Sequence, residues 1–261
     1  MTDIEARAAL RDVVPRLVAL LRGVPATSPA LGSWTVGDVA AHLSHVFRFD
    51  IDALAGNPVP EAVVTAAGMS EVNAKLLAED DERDPAALAL RLGALADEFD
   101  EVASSSATTV DWLQGIRLAS STVACHLLEE CLIHGYDIAR ATGQAWPIRR
   151  EHALLAVEGG VFPLVEALPP TAFVTPGSFR GRFELRLRGG GRTVMAFDRG
   201  ALTLASERGD VDAYISADPA ALMLVFIGRQ GIVKPLLEGK LAGWGWRPWK
   251  LVPMLAAINP P

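Results

Sequence analysis

Residues 118–143, LASSTVACHLLEECLIHGYDIARATG, form the stretch that decides the fold of this chain. Apolar residues recur along it at helical spacing, and Gly143 supplies the left-handed position that commonly closes a helix. Glu130 and His134 are four residues apart, so on a helix their side chains lie about 40° from each other and one turn apart. The stretch therefore predicts a long helix that packs against other elements and presents a carboxylate beside an imidazole.

The sequence that precedes this stretch predicts a helical bundle. Helical spacing of apolar residues marks residues 4–22, and a shorter helix is expected near 60–79. Asp84 as a cap, with Pro85 at the first helical position, begins another helix. Together with a helix that carries His42, these segments give four main helices and a short one, enough for an up-and-down bundle.

The last third of the chain changes character after one more helix and a proline-rich linker. Strands segregated from helices are typical of an α+β domain, so we expect a helical domain at residues 1–168 and a small α+β domain at 169–261. The predicted elements are a helix at 149–167, a hairpin at 182–197, strands at 201–205 and 211–216, helices at 218–228 and 230–238, and a last strand near 241–246.

Composition excludes several classes of protein. The net charge of -7 and a pI near 5.3 do not indicate a basic surface for binding nucleic acid. The first residues, MTDIEARAAL, are acidic where a secretory signal would be basic, and no apolar run is long enough for a membrane span, so we expect a soluble, cytoplasmic protein. Cys125 and Cys131 would lie about 120° apart on one helix, which favours buried free thiols over a disulfide.

His42 is the candidate for a third ligand beside Glu130 and His134. It lies on the apolar flank of its own helix, next to Val39 and Leu43, and Thr35 with Asp38 resembles the capping box that would begin that helix. Two imidazoles and a carboxylate can hold a divalent metal and leave a coordination position free for catalysis. Such ligands suit Zn²⁺ best, with Fe²⁺, Mn²⁺, Co²⁺ and Ni²⁺ as alternatives.

Each residue also has a simpler interpretation, because a Glu/His pair in one helix is often a solvated face or an intrahelical pair. His126 lies on the same helical stripe and could be a ligand, a partner of a ligand or a packing residue. His45 lies one turn after His42 on the same predicted helix, and we expect it to lie outside the metal site. Glu129 is expected to face water, and His152 to be a surface or capping residue.

A resemblance to a known family adds to this interpretation. Residues 34–43, WTVGDVAAHL, and 130–143, ECLIHGYDIARATG, resemble the two signature regions of the mycothiol-dependent maleylpyruvate isomerase family. The resemblance implies a DinB-like four-helix bundle whose metal ligands are His42, Glu130 and His134. The C-terminal third, including DPAAL at 218–222 and GKL at 239–241, is similar to the sterol-carrier-like α+β domain that often follows this bundle.

The resemblance also implies a chemistry. A metal with an open position can bind a low-molecular-weight thiol as its thiolate, which is the nucleophilic form. In the isomerase, mycothiol would add to an activated double bond, allow rotation about the resulting single bond and then leave, whereas other relatives transfer the thiol to an electrophile. The implied partners are mycothiol and a small electrophile, and the implied state is a monomer. Arg229 or Arg247 could bind a dicarboxylate, or both could be surface residues.

Two other functions stay open from the sequence. The C-terminal domain could bind a lipid or another apolar ligand, with the bundle as a scaffold. Trp244 and Trp246 could cover a ligand pocket or simply belong to a half-buried sheet face. Alternatively, the protein could be a non-catalytic interaction protein, although the complete set of candidate ligands argues against this.

Overall fold

The computed structural model describes residues 3–59, 64–205 and 209–259, which form two compact units. Among these residues, one unit contains 3–59 and 70–148, and the other contains 64–69 and the described residues from Arg149 onward. The contacts therefore divide the chain after Ile148, whereas the domain boundary expected from the sequence, at 168/169, stays a prediction.

The first unit is built around four long helices. Helices α1 (Asp3–Leu20) and α2 (Val36–Leu54) each pack against both α4 (Pro85–Ser105) and α5 (Ser120–Thr142), which is the arrangement of a four-helix bundle. The core between them is apolar, with Phe47, Leu92 and Leu128 fully buried. A further helix, α3 (Ala66–Glu79), begins in the residues 64–69 that belong to the other unit.

The helix ends follow the local signals in the sequence. Thr35 and Asp38 form a complete capping box at the start of α2, and the Asp84 side chain accepts from two backbone N–H groups of α4. Gly143 closes α5 with a φ of 68°, a left-handed conformation that suits glycine. Part of the helix predicted near 60–79 falls on residues 60–63, which lie outside the described residues; α3 begins at Ala66.

Two short hairpins in this unit were not predicted, and each of them leads directly into a long helix. The first ends one residue before α2, and the second ends one residue before α5. Their strands have only two to five residues, too few for an alternating pattern to stand out from the sequence. They are β1 (Pro29–Leu31), β2 (Trp34–Thr35), β3 (Thr109–Leu113) and β4 (Ile116–Ala119).

The second unit is a sheet with flanking helices. Among the described residues the sheet has five strands in the order β7-β6-β5-β8-β9, in which β5 and β8 are parallel and the other neighbours are antiparallel. Phe183 on β5 is completely buried and packs against Phe197 on β6. The strands are β5 (Arg180–Leu187), β6 (Arg192–Asp198), β7 (Leu202–Ala205), β8 (Ala213–Ala217) and β9 (Leu241–Trp244).

The helices of this unit differ from the prediction in two respects. The helix expected at 149–167 contains a π-helical segment, Leu155–Val161, between α6 (Arg150–Leu154) and α7 (Phe162–Ala167). A C-terminal helix, α10 (Leu251–Ala257), was missed. As predicted, Asp218 caps α8 (Pro219–Phe226) with Pro219 at its first position. Between them lies α9 (Val233–Leu237).

The predicted fold class is confirmed, because a helical N-terminal part is followed by a C-terminal sheet with helices. Over the part of the chain that the structure describes, none of the helices combines the length and the hydrophobicity needed to cross a lipid bilayer.

Candidate metal centre

His42, Glu130 and His134 meet in the helical unit. Each contributes one potential ligand atom, and these three atoms lie within 4.8 Å of one another. Oε2 of Glu130 is 3.4 Å from Nε2 of His42 and 3.4 Å from Nε2 of His134. The two imidazole rings stand edge to face with their centroids 5.0 Å apart. One residue of α2 and two of α5 therefore direct two nitrogens and one oxygen toward a common point.

The donor set fits a divalent cation. Oε2 of Glu130 is buried and makes no hydrogen bond, although two Nε2 atoms lie 3.4 Å from it. A buried carboxylate oxygen without a partner is costly, and a bound cation would satisfy it. The residue types and their number are those of catalytic zinc sites, in which three protein ligands leave a position for water or substrate.

The three side chains influence one another's protonation. Burial raises the pKa of Glu130, but the adjacent His134 and His42 more than offset this and hold that pKa well below its ordinary value. Burial lowers the pKa of His42, and the smaller opposing effect of Glu130 does not reverse the shift. At His134 burial also lowers the pKa, but Asp137 and Glu130 outweigh it and raise the pKa to about 9. The cluster thus favours a charged carboxylate between two imidazoles.

Asp137 holds the second nitrogen of His134. Its Oδ2 lies 3.0 Å from Nδ1 of His134, and the carboxylate is completely buried. Because a carboxylate accepts hydrogen bonds, Nδ1 donates and Nε2 is left facing Glu130. This is the arrangement by which proteins fix the tautomer and orientation of a metal-binding histidine. Sequence reasoning missed Asp137, although a carboxylate three residues after a helical histidine is a readable signal.

A second histidine–carboxylate pair lies about two turns earlier on α5. Nδ1 of His126 is 3.0 Å from Oδ2 of Asp50, and Nε1 of Trp112 donates to Oδ1 of Asp50 at 2.9 Å. Nε2 of His126 is 3.8 Å from Oε1 of Glu130. Burial lowers the pKa of His126, but the charge of Asp50 and its hydrogen bond outweigh this and raise the pKa to about 9. The sequence pointed to His126 but not to Asp50 or Trp112.

Two expectations about the surroundings are wrong. Glu129 is buried rather than facing water, because α5 is packed on more than one side. Burial raises the pKa of Glu129 to about 8, with Glu130 adding to the shift and His126 opposing it. His152 is buried within the second unit and is not a surface residue. Cys125 and Cys131 are buried free thiols, as predicted.

His45 contacts a different carboxylate. Its Nε2 lies 3.0 Å from Oδ2 of Asp80, which also receives a hydrogen bond from Arg91. Trp34 is on the second strand of the first hairpin. The centre of its ring lies 5.0 Å from the centre of the His42 ring, and the two rings pack side by side. α2 thus presents His42 to the cluster and His45 to a separate ion pair.

A comparison with models of protein families shows which family the chain is related to. The sequence model described as the mycothiol maleylpyruvate isomerase N-terminal domain matches residues 5–139, which is more than half of the chain and includes all three clustered side chains. The chain belongs to this family. Its membership confirms the resemblance seen in the two signature regions.

Solved structures agree with the family at the level of the fold. The chain is similar to a crystal structure of the mycothiol-dependent maleylpyruvate isomerase, with 15% identity and a TM-score of 0.55 over 88% of this chain and 90% of that one. A histidine-to-alanine mutant of that enzyme matches with 14% identity, the same TM-score and the same coverage. A search of curated proteins found no match. Identities this low show a shared fold alone.

Proposed function

We propose that this member of the mycothiol maleylpyruvate isomerase family is a metal-dependent enzyme that uses mycothiol to isomerise, or to transfer the thiol to, a small maleylpyruvate-like electrophile. One observation carries the proposal: the potential ligand atoms of His42, Glu130 and His134 lie within 4.8 Å of one another in a chain of this family. The matching structures are named for the isomerase reaction, which favours isomerisation over net transfer.

His42, Glu130 and His134 would hold the metal, and zinc is the ion that two imidazoles and a carboxylate favour. When bound, the cation would stabilise a thiol in its charged thiolate form. Three protein ligands leave room for the sulfur, as a catalytic site requires.

The other residues of the chain prepare the site. Asp137 keeps the proton of His134 on Nδ1, so that Nε2 is available as a ligand. His42 and His134 are only 7% and 5% exposed, and this burial limits the access of water and strengthens electrostatic interactions inside the site. Trp34 packs beside His42 and restricts the orientation of its ring. These residues therefore orient the metal ligands and exclude water from the site.

The alternative function, binding of a lipid or another apolar ligand by the second unit, lacks comparable support, because the matching family and both solved structures are named for the isomerase. The identity of the acceptor-binding arginine, the cytoplasmic location and the monomeric state stay predictions.

The test combines metal content with activity. Wild-type protein purified without chelators is expected to contain about one equivalent of divalent metal and to isomerise maleylpyruvate only when mycothiol is added. His134→Ala is expected to lose both properties. His45→Ala, which removes a partly buried histidine of the same unit that pairs with Asp80, is the matched control and is expected to keep both. A metal-free wild-type protein, or full metal content in His134→Ala, would refute the proposal.

A further inference from the structure

Asp50 is a completely buried carboxylate whose two oxygens both have partners. Oδ1 accepts a hydrogen bond from the indole of Trp112 at 2.9 Å, and Oδ2 lies 3.0 Å from Nδ1 of His126. The Trp112 ring also packs edge to face on the His126 ring, with centroids 5.2 Å apart. A buried carboxylate with two donors and a packed ring allows little movement, so the imidazole of His126 is held in one orientation.

This orientation of the imidazole points Nε2 of His126 toward the carboxylate of Glu130. Nδ1 of His126 faces Asp50, and Nε2, the other ring nitrogen, lies 3.8 Å from Oε1 of Glu130, an approach that is attractive when the imidazole carries both protons. The other oxygen, Oε2, is the one that lies 3.4 Å from both candidate histidine ligands. The two oxygens of Glu130 therefore face different partners. His126 itself is not among the three residues whose ligand atoms cluster.

The spacing of these residues makes the arrangement a ladder. Asp50 follows His42 by eight residues on α2, and His126 precedes His134 by eight residues on α5, so both pairs are about two turns apart. The contacts of His42 with His134 and of Asp50 with His126 form two rungs, and Glu130 lies between them. One rung holds candidate ligands, and the other lies against the carboxylate from the opposite side.

We propose that the Asp50–His126 pair is a positioning device for Glu130, which keeps Oε1 turned toward His126 so that the carboxylate binds the metal through Oε2 alone. A carboxylate that binds through one oxygen leaves more of the coordination sphere open than one that binds through both. His126 and Asp50 are positioning residues in this scheme, since they act through Glu130. The inference rests on the proposed metal site and adds how its coordination position is kept open.

Cobalt binding tests the inference without reference to catalysis. Co²⁺ is titrated into metal-free wild type, His126→Leu and Asp50→Asn, and the visible absorption spectrum, which reports coordination number, is recorded with the affinity. Hydrogen-bonded partners of metal ligands typically contribute about 10- to 100-fold to metal affinity, and His126, which lies beyond hydrogen-bond distance from Oε1, is expected to contribute about 10-fold. We expect a loss of this size for His126→Leu, a smaller loss for Asp50→Asn, and a changed spectrum in both. The two variants are independent, so either suffices if the other does not fold.

The matched control is His45→Leu. Like His126, the His45 side chain has a ring nitrogen 3.0 Å from a carboxylate oxygen, but its removal leaves Glu130 and its neighbours intact. Wild-type affinity and spectrum are expected. An equal loss in this control, or unchanged cobalt binding in both His126→Leu and Asp50→Asn, would overturn the inference while the metal site itself stands. A wild-type protein that binds no stoichiometric Co²⁺ would instead overturn the proposed function, and the inference with it.

Discussion

The indole ring of Trp146 lies directly against the Cα atom of Gly135, the residue that follows the candidate ligand His134. A Cβ atom at position 135 would overlap the six-membered part of that ring. The ring is held there by a hydrogen bond from Nε1 to the carbonyl of Leu132 at 2.9 Å and by Arg16, whose guanidinium lies 4.7 Å from the ring centre. The glycine therefore permits the segment after α5 to cover the turn of the helix that carries His134.

Gly135→Ala is expected to lower the free energy of unfolding by about 1–3 kcal/mol, because the tryptophan ring must move and lose its hydrogen bond. Urea denaturation measures the change. Gly93→Ala, in the interior of α4 with open space around the added methyl group, is the matched control. There the substitution is expected to stabilise the protein by up to about 1 kcal/mol. Equal effects at the two positions would contradict the role of Trp146.

Asp137→Asn is expected to weaken zinc binding by about 10- to 100-fold, because the amide does not reproduce the carboxylate that holds Nδ1 of His134. Competition with a chromophoric chelator measures the affinity. Asp111→Asn, at an exposed position of β3, should bind zinc as wild type does. Undiminished affinity in Asp137→Asn would show that this carboxylate does not support the ligand.

Removal of the metal is expected to lower the melting temperature. A ligand present at a hundred times its dissociation constant stabilises the folded state by about 2.7 kcal/mol, provided that it does not bind the unfolded chain. Thermal melts of chelator-treated protein with and without added Zn²⁺ measure the shift. His42→Ala should melt at the same temperature in both conditions, and a shift as large as that of wild type would mean that zinc stabilises the protein elsewhere.

Asp80 is expected to make stability depend on pH in the acid range. Burial raises its pKa, but hydrogen bonds from Arg91, the backbone of Glu82 and His45 outweigh this and lower the pKa to about 2. A carboxyl with a lowered pKa stabilises the fold above its unfolded pKa, and this contribution is lost as pH falls through the folded value. Asp80→Asn should therefore unfold at lower urea concentration than wild type at pH 6, and the difference should shrink between about pH 4 and pH 2.

A difference that stays constant from pH 6 downward would show that the ion pair of Asp80 is not responsible for the destabilisation. Asp111→Asn, at an exposed position, is again the control, and its stability relative to wild type is expected to change little over the same range.

The parts of this structure that sequence predicts well are those with local signals. The capping box at Thr35, the Asp84 cap and the closing glycine at position 143 each act through neighbouring residues, so the helix ends could be located from the chain alone. The spacing of Glu130 and His134 likewise follows from helical geometry. His42 could be nominated as their partner because its apolar flank indicated a buried position.

What the sequence could not supply depends on contacts between distant residues. Asp50 and Trp112 are 62 residues apart, and neither belongs to a sequence motif from which their contact could be predicted. Glu129 was expected to face water because its angle from Glu130 was considered on α5 alone, without the helices packed around it. The two short hairpins were not predicted for a related reason. Strands of two to five residues pair because of the tertiary structure around them, which the local sequence does not show.

The ladder between α2 and α5 also has a mechanical consequence. Because both rungs are set by the same two helices, a slide of one helix by a single turn, about 5.4 Å, would break them together and could not rebuild either one. Insertions or deletions between His42 and Asp50, or between His126 and His134, would rotate one rung away from the other. The spacing of eight residues on each helix thus couples the two rungs, so that a change in the register of either helix affects both.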